Sequence, residues 1–141
     1  MYPAADIPVV QLSLLNTMDA RRHIEIGKAI GECCRQDVLI IGSGFSFHNM
    51  GFSPATDTSA IAKSQAFDQW LNKVIVSTDN QEQALIDWEK APHARYSHPR
   101  EEHLLPLHVC FGAATANAMR AENIFDLSLF GAKISSFLWR N

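Results

Sequence analysis

The run 38–41 is apolar at every position and rich in β-branched side chains. Such a run is typical of a strand that is buried on both faces, as in a parallel sheet. A Gly-Ser-Gly turn at 42–44 follows at once, and His48 comes soon after it. His48 would then lie beyond the carboxyl end of a strand, which is where open α/β sheets bind their ligands.

The hydrophobic pattern of the whole chain alternates between strand and helix signals. Helices connect strands that run in the same direction, so this order predicts an α/β fold with a mixed or parallel central sheet flanked by helices. Three strands are few for such a domain, and the chain begins on one, which favours the interpretation that residues 1–141 are a single domain lacking an N-terminal half. The predicted strands are 7–14, 38–41 and 133–139, and the predicted helices are 17–36 (capped by Thr17 or Asp19), 60–76, 81–90 and 105–119.

Composition excludes several classes of partner. The net charge of -3 and the pI near 6.0 give no basic surface for nucleic acid. No apolar window reaches the roughly 18 residues of a membrane-spanning helix, and no signal peptide precedes the first strand. We therefore expect a soluble, cytoplasmic protein whose partner is a small molecule or another protein.

The cysteines predict neither a disulfide framework nor a metal site. Cys33 and Cys34 are adjacent and Cys110 lies far from them, a spacing unlike that of paired metal-binding cysteines. Free cysteine is among the most buried residue types. All three are therefore predicted to be buried, reduced thiols. Gly27 and Gly31, in the first predicted helix, are expected to let that helix pack closely on a sheet.

Six histidines are present, and their spacing does not predict one cluster. Those at 93, 98, 103 and 108 recur every five residues, which on a helix rotates each about 140° from the last. His23 lies among charged residues and His93 follows a proline, so both are predicted on the surface. His108 lies within an apolar helix and is predicted to be a hydrogen-bonded core residue.

His48 and His103 are the candidates for chemistry. The turn 42–44 lets another group approach the backbone, and Ser46 and Asn49 offer hydrogen bonds that could fix an imidazole. His103 precedes a helix beside Glu101 and Glu102, carboxylates that could orient it or act as alternative ligands. From the residues alone, a structural role and a chemical role are about equally favoured for each histidine.

Three ordered motifs resemble a known family. They are Tyr2-Pro3 through Ser13, then Ile40-Ile41-Gly42-Ser43-Gly44 with His48-Asn49, then His98-Pro99 with Glu102-His103-Leu104-Leu105-Pro106-Leu107. Together with the segment 134–139 they resemble the class III extradiol ring-cleavage dioxygenases, the LigB superfamily, in its DOPA 4,5-dioxygenase branch. The resemblance covers nearly the whole chain but only the C-terminal half of such an enzyme.

The resemblance implies a metal-dependent oxidoreductase. Members of the family open a catechol-type ring beside its hydroxyls with O2, using a divalent non-haem metal that is Fe2+ in catalysis and often Zn2+ in crystals. By this resemblance, His48 is the catalytic acid–base residue or an additional metal ligand, and His103 is a metal ligand. His98 is assigned to the pocket wall or to an exchanged ligand role. Ser43, Ser46 and Asn49 would orient His48, and Phe45 and Phe47 would flank the ring, although core packing suits at least one of these two.

The resemblance also implies that further histidine ligands come from N-terminal motifs that are not in this sequence. The expected partners are a catechol-type substrate with O2, and either a missing N-terminal half or a second copy in a homo-oligomer. The alternative is a non-catalytic binding or assembly domain that retains the dioxygenase scaffold.

Overall fold

The computed structural model describes residues 3–4, 6–33, 37–77 and 79–141. Its helices form one packed layer, and a β-hairpin lies against that layer. The helices are α1 (Ala20–Cys33), α2 (Ala60–Val76), α3 (Gln81–Ile86), α4 (Ala94–Ser97) and α5 (Leu105–Ala116), with a 3-10 turn at Trp88–Lys90; the strands are β1 (Arg120–Leu129) and β2 (Ala132–Arg140).

Most predicted helices are confirmed. The helix α1 begins after Asp19, whose carboxylate accepts a hydrogen bond from the Arg22 amide at 2.8 Å and so caps the helix. The end predicted at 34–36 lies outside the described residues. The helix α2 has the predicted bounds, whereas the predicted helix 81–90 is divided into α3 and the 3-10 turn. The short helix α4 was not predicted.

The sheet differs from the prediction. In the described residues the sheet has two antiparallel strands, β1 and β2, and a central parallel sheet is not present. The segments 7–14 and 38–41 are not strands, because no other described segment pairs with them. Their apolar side chains face solvent instead: Val9 is 89% exposed, Val10 93% and Leu39 68%.

The strand predicted at 133–139 is confirmed as β2, but its partner β1 was not predicted. A two-residue turn joins them, with Leu129 opposite Ala132. Phe130 and Gly131 both have positive φ, 51° and 94°, as a tight hairpin turn of the mirror-image type requires. Because Gly131 has no Cβ, it adopts this conformation without strain.

The helices α1 and α5 cross at backbone contact. A Cβ on Gly27 would lie 2.1 Å from the Val109 carbonyl oxygen, and one on Gly112 would lie 2.2 Å from that of Ile24. The prediction that the α1 glycines pack on a sheet is therefore wrong, since they pack on a helix. The buried core contains apolar side chains from the helices and from the 3-10 turn, among them Ile24, Phe67, Leu71, Ile75, Leu85, Trp88, Leu104, Leu105 and Phe111.

Of the two histidines predicted on the surface, one is exposed and one is buried, and Cys33 and Cys110 are less buried than predicted. His23 is buried, not solvated, because it lies on the inner face of α1: its Nδ1 donates to the Asp19 carbonyl at 2.6 Å and its Nε2 accepts from the Leu15 amide at 3.1 Å. His93 is exposed, as predicted. Cys33 is exposed, contrary to prediction, Cys110 is half-buried, and Cys34 lies outside the described residues.

His108 is buried, as predicted. Its Nε2 lies 2.9 Å from the Leu85 carbonyl oxygen and its Nδ1 lies 3.3 Å from that of Leu104. Burial lowers its pKa. Within the described ranges, no helix is both long and apolar enough to cross a membrane.

A buried carboxylate attaches the hairpin to α2. Asp68 is 6% exposed, and its oxygens accept hydrogen bonds from the Ser135 hydroxyl at 2.7 Å and the Asn72 amide at 3.1 Å. Burial raises the pKa of Asp68, and the Ser135 hydrogen bond only partly opposes this shift.

We expect Gly27→Ala to destabilise the protein. Alanine stabilises a helix by roughly 1 kcal/mol relative to glycine. The added methyl group would, however, be forced against a backbone carbonyl, and such overpacking costs up to about 3 kcal/mol. The free energy of unfolding, measured by urea denaturation, should therefore fall by about 2 kcal/mol. Ala29→Gly on the exposed face of the same helix is the control for propensity alone. Stabilisation by Gly27→Ala would contradict the close crossing.

The raised pKa of Asp68 predicts a pH dependence of stability. Because the folded pKa lies above the unfolded value of about 3.9, this group's contribution is fully present below that value. It is lost as pH rises through the folded pKa. The difference in unfolding free energy between the wild type and Asp68→Asn should therefore decrease as pH rises. Asp57, whose pKa is lowered by hydrogen bonds from Lys63 and Ser59, should give the opposite trend in Asp57→Asn. Equal trends for both variants would contradict this account.

Candidate functional site

The loop that carries His48 lies directly on the start of α5. A Cβ on Gly42 would be 2.7 Å from the Cys110 sulfur, and one on Gly44 would be 2.2 Å from the His103 carbonyl oxygen. The two glycines are therefore needed for close approach, as the sequence predicted. Side chains at these positions would push the loop away from the segment that carries His103.

Backbone hydrogen bonds join this loop to the segment 96–103. The Phe45 amide donates to the His103 carbonyl at 3.1 Å, and the His48 amide donates to the Ser97 carbonyl at 3.0 Å. The Asn49 side-chain amide also donates, to the Tyr96 carbonyl at 2.7 Å. Two segments that are about 50 residues apart in sequence are thus held side by side.

These bonds bring His48 and His103 together. Their rings stack with centroids 3.6 Å apart and planes inclined by 21°. Both side chains are half-buried, so they remain accessible to a small molecule. The two histidines that the sequence singled out are therefore neighbours in space, while their chemical roles stay a prediction.

The surroundings keep His103 uncharged over a wider pH range than free imidazole. Partial burial lowers the pKa of His103, the neighbouring His48 lowers it further, and Glu102 opposes the shift. A neutral imidazole is the form that binds a metal ion.

Each neighbouring carboxylate has a cationic partner. Glu101 forms an ion pair with Arg95 at 2.6 Å, and Glu102 pairs with Arg100 at 3.2 Å. The sequence placed both beside His103 but could not show these cationic partners. Ser46 and Asn49 were predicted to orient His48, but among the described residues their side chains hydrogen-bond to backbone groups and not to the His48 ring.

The two phenylalanines of the loop have different surroundings. Phe45 is 47% exposed, with its ring centroid 6.3 Å from that of His103, so it can flank a planar ligand beside the histidines. Phe47 is buried and packs edge-on against Phe52 at 5.2 Å. Core packing is therefore the use of Phe47. Ser43 is exposed.

A groove of about 370 Å³ opens beside His103. It lies between the extended segment 38–46, the first turns of α5 and the strand β2. Its lining is mainly apolar and includes Phe45, Leu104, Cys110, Phe137 and Trp139. Burial raises the pKa of the Cys110 thiol, so this cysteine is an inert part of the wall at neutral pH.

His98 is not on the wall of the groove or among accessible ligands. It is fully buried, its Nε2 lies 2.9 Å from the Ser46 carbonyl oxygen, and burial lowers its pKa to about 4. Sequence reasoning missed this contact to the His48 loop. Only the proline that follows His98 marked the position, and a proline does not indicate burial.

His48 and His103 are the residues to compare with the needs of a metal ion. Within the ranges that the structure covers, no group of three or more potential ligands comes together. Imidazole is a common metal ligand, and it binds a metal along an in-plane lone pair at about 2.1 Å. Because the two rings are stacked 3.6 Å apart, their lone pairs lie in two nearly parallel planes, so the arrangement suits one ligand and one neighbouring base better than two ligands to one ion.

Comparisons with known proteins identify the family of this chain. Residues 1–137 match the family described as the catalytic LigB subunit of aromatic ring-opening dioxygenase. The chain is 38% identical over 126 residues to the 4,5-DOPA dioxygenase extradiol of Beta vulgaris. This alignment covers 89% of this chain and 46% of the relative. The chain is also 38% identical over 118 residues to the enzyme of that name from Mirabilis jalapa, covering 83% of this chain and 43% of the relative.

A solved structure has the same fold. A crystal structure of an uncharacterised protein from Escherichia coli K12 matches with a TM-score of 0.82 and 25% identity, covering 97% of this chain and 57% of that one. The chain spans about half the length of the curated relatives that it matches. The family that the sequence motifs suggested is confirmed: the chain belongs to the LigB family of aromatic ring-opening dioxygenases.

Proposed function

We propose that this chain carries the acid–base residue and one metal ligand of an extradiol dioxygenase that opens a catechol-type ring with O2. The observation that supports the proposal most is the stack of His48 on His103, the second of which lines an apolar groove. The relatives named as 4,5-DOPA extradiol dioxygenases point to a substrate of the same class, a small aromatic ring with two adjacent hydroxyls.

In this proposal His103 is the metal ligand. It is neutral because partial burial lowers its pKa. Its backbone is held in place, since the His103 carbonyl accepts a hydrogen bond from the Phe45 amide. A divalent non-haem ion held by His103, Fe2+ or Zn2+, would supply a positive charge that favours the ionised catechol, and only Fe2+ would also supply redox chemistry.

His48 is the acid–base residue. Imidazole changes its charge near neutral pH, so it can accept a proton from a catechol hydroxyl and return it later. The His48 ring lies over the face of His103, which places it beside any group held by that ligand. Phe45 would pack against the aromatic ring and exclude water from one side of the site.

The site needs more ligands than the described residues bring together. Non-haem iron oxygenases hold their metal with about three protein ligands and leave positions open for substrate and O2. We propose that the remaining ligands come from a polypeptide equivalent to the part of the relatives that this chain does not match. The exposed apolar side chains of the segments 7–14 and 38–41 would pack against it, since apolar strand-like segments are normally covered.

A second candidate function is a non-catalytic binding or assembly domain. The observation that favours it is that no three-ligand cluster forms within the described ranges. The two candidates differ in whether addition of the complementary polypeptide produces ring cleavage.

His103→Ala should remove most of the bound metal. Purified protein, alone and mixed with the N-terminal portion of the Beta vulgaris relative, would be loaded with Zn2+ and measured by atomic emission. His93→Ala, which changes an exposed histidine outside the stack, is the matched control and should retain wild-type metal content. Equal metal loss in both variants would contradict the assignment of His103.

His48→Ala should reduce ring cleavage by roughly 10²–10⁴-fold, the usual contribution of general acid–base catalysis. Metal content should change little if His48 is the base rather than a ligand. The assay is the appearance of the ring-opened product from L-DOPA in the complemented, Fe2+-loaded protein. A variant that turns over like the wild type would show that another group moves the proton, and a variant that loses its metal would make His48 a ligand.

The chain without a complement should self-associate, because Val9 and Val10 are almost fully exposed on an unpaired segment. Sedimentation velocity over a range of concentrations should show dimers or larger species, and Val10→Lys should reduce them. A monomer with a cooperative melt and one tightly held metal ion would contradict the incomplete-site proposal.

A further inference from the structure

His98 is a buried polar residue whose role the metal and acid–base assignments leave unexplained. It lies at the end of α4 with its ring edge-on to Phe67, at 5.3 Å between centroids, and to Trp88, at 6.0 Å. Its side chain is inaccessible to solvent, so it cannot bind metal or substrate directly. Its polar contact is with the loop that carries His48.

The hydrogen bond of His98 fixes its protonation state. The Ser46 carbonyl oxygen can only accept, so the His98 Nε2, 2.9 Å away, must carry the hydrogen. The Nδ1 atom then has no hydrogen, and it has no hydrogen-bond partner among the described residues. Burial, which lowers the pKa of His98 to about 4, keeps this neutral form dominant at neutral pH.

Two consecutive residues, Ser97 and His98, form hydrogen bonds with the Ser46 carbonyl and the His48 amide. His98 binds the carbonyl through its side chain, and the Ser97 carbonyl accepts from the His48 amide at 3.0 Å. The two bonds therefore fix both the position and the direction of the chain just before the His48 side chain leaves it.

Ser46 is held from its other side as well. Its hydroxyl oxygen accepts from the Ser135 amide of β2 at 2.8 Å. A displacement of the Ser46 peptide would thus have to break a bond to the hairpin or a bond to His98. The loop has little freedom to place His48 elsewhere while both bonds are intact.

We propose that His98 is a positioning residue for the site: through the Ser46 carbonyl it sets the placement of His48 over His103. The proposal rests on the proposed function, in which these two histidines act together. A residue with only a core-packing role would change stability when replaced but would leave the stack intact in the folded protein.

The test compares two amides of different reach. In His98→Gln the side-chain NH2 can lie near the place of the histidine Nε2 and donate to Ser46, whereas the shorter His98→Asn cannot reach it. The control pair is His108→Gln and His108→Asn, at a buried histidine whose Nε2 makes a comparable 2.9 Å bond to the Leu85 carbonyl but which does not contact the loop.

The readout is the NMR cross-peak (NOE) between the His48 and His103 ring protons in metal-free protein. We expect His98→Gln and both His108 variants to keep this NOE and His98→Asn to lose it. A folded His98→Asn variant with the NOE intact would overturn the proposal, as would its loss in His98→Gln or in His108→Asn. If His98→Asn does not fold, His98→Gln still decides: the NOE supports the proposal when retained and overturns it when lost.

Kinetics separate this proposal from the proposed function. In the complemented enzyme, His98→Asn should lower kcat for catechol cleavage with little change in KM, because substrate contacts remain while the acid–base group is misplaced. His98→Gln should restore kcat. If the wild type cleaves no catechol, the proposed function fails, and the NOE comparison alone then decides whether His98 positions the pair.

Discussion

The pairing of the loop 45–49 with the segment 96–103 is the interaction on which the site depends. Its backbone bonds run from Phe45 to His103 and from His48 to Ser97, and the Asn49 amide adds a third contact at Tyr96. Without it, His48 and His103 would lie on separate loops with no fixed relation. Two glycines, Gly42 and Gly44, permit it, because any side chain there would collide with the start of α5.

Helices were the predictable part of the fold because their signals are local. The cap at Asp19 and the helical spacing of apolar residues in α2 follow from neighbouring residues alone. Strands depend on partners elsewhere. The run 38–41 has every side-chain feature of a buried strand, yet it is exposed because no described segment pairs with it. The hairpin strand β1 was missed because nearly all its residues are exposed, which leaves no clear inward-facing pattern.

Like the fold, the site was predictable only in part. His48 and His103 stood out because each lies beside a turn or a helix start next to an apolar run, and the structure brings them together. His98, five residues before His103, carried no such signal, since its burial arises from Phe67 and Trp88 on other elements. Glu101 and Glu102 were attractive as ligands only because their arginine partners could not be known from spacing.

In the proposed site, His103 binds the metal while His48 stays beside it as an uncoordinated acid–base group. Zn2+ titration of protein labelled with 15N in its histidine rings, followed by NMR in the presence of the complementary polypeptide, tests this most directly. We expect a large chemical-shift change at one ring nitrogen of His103 and no coordination shift at either nitrogen of His48. Coordination shifts at both histidines, or at neither, would contradict it.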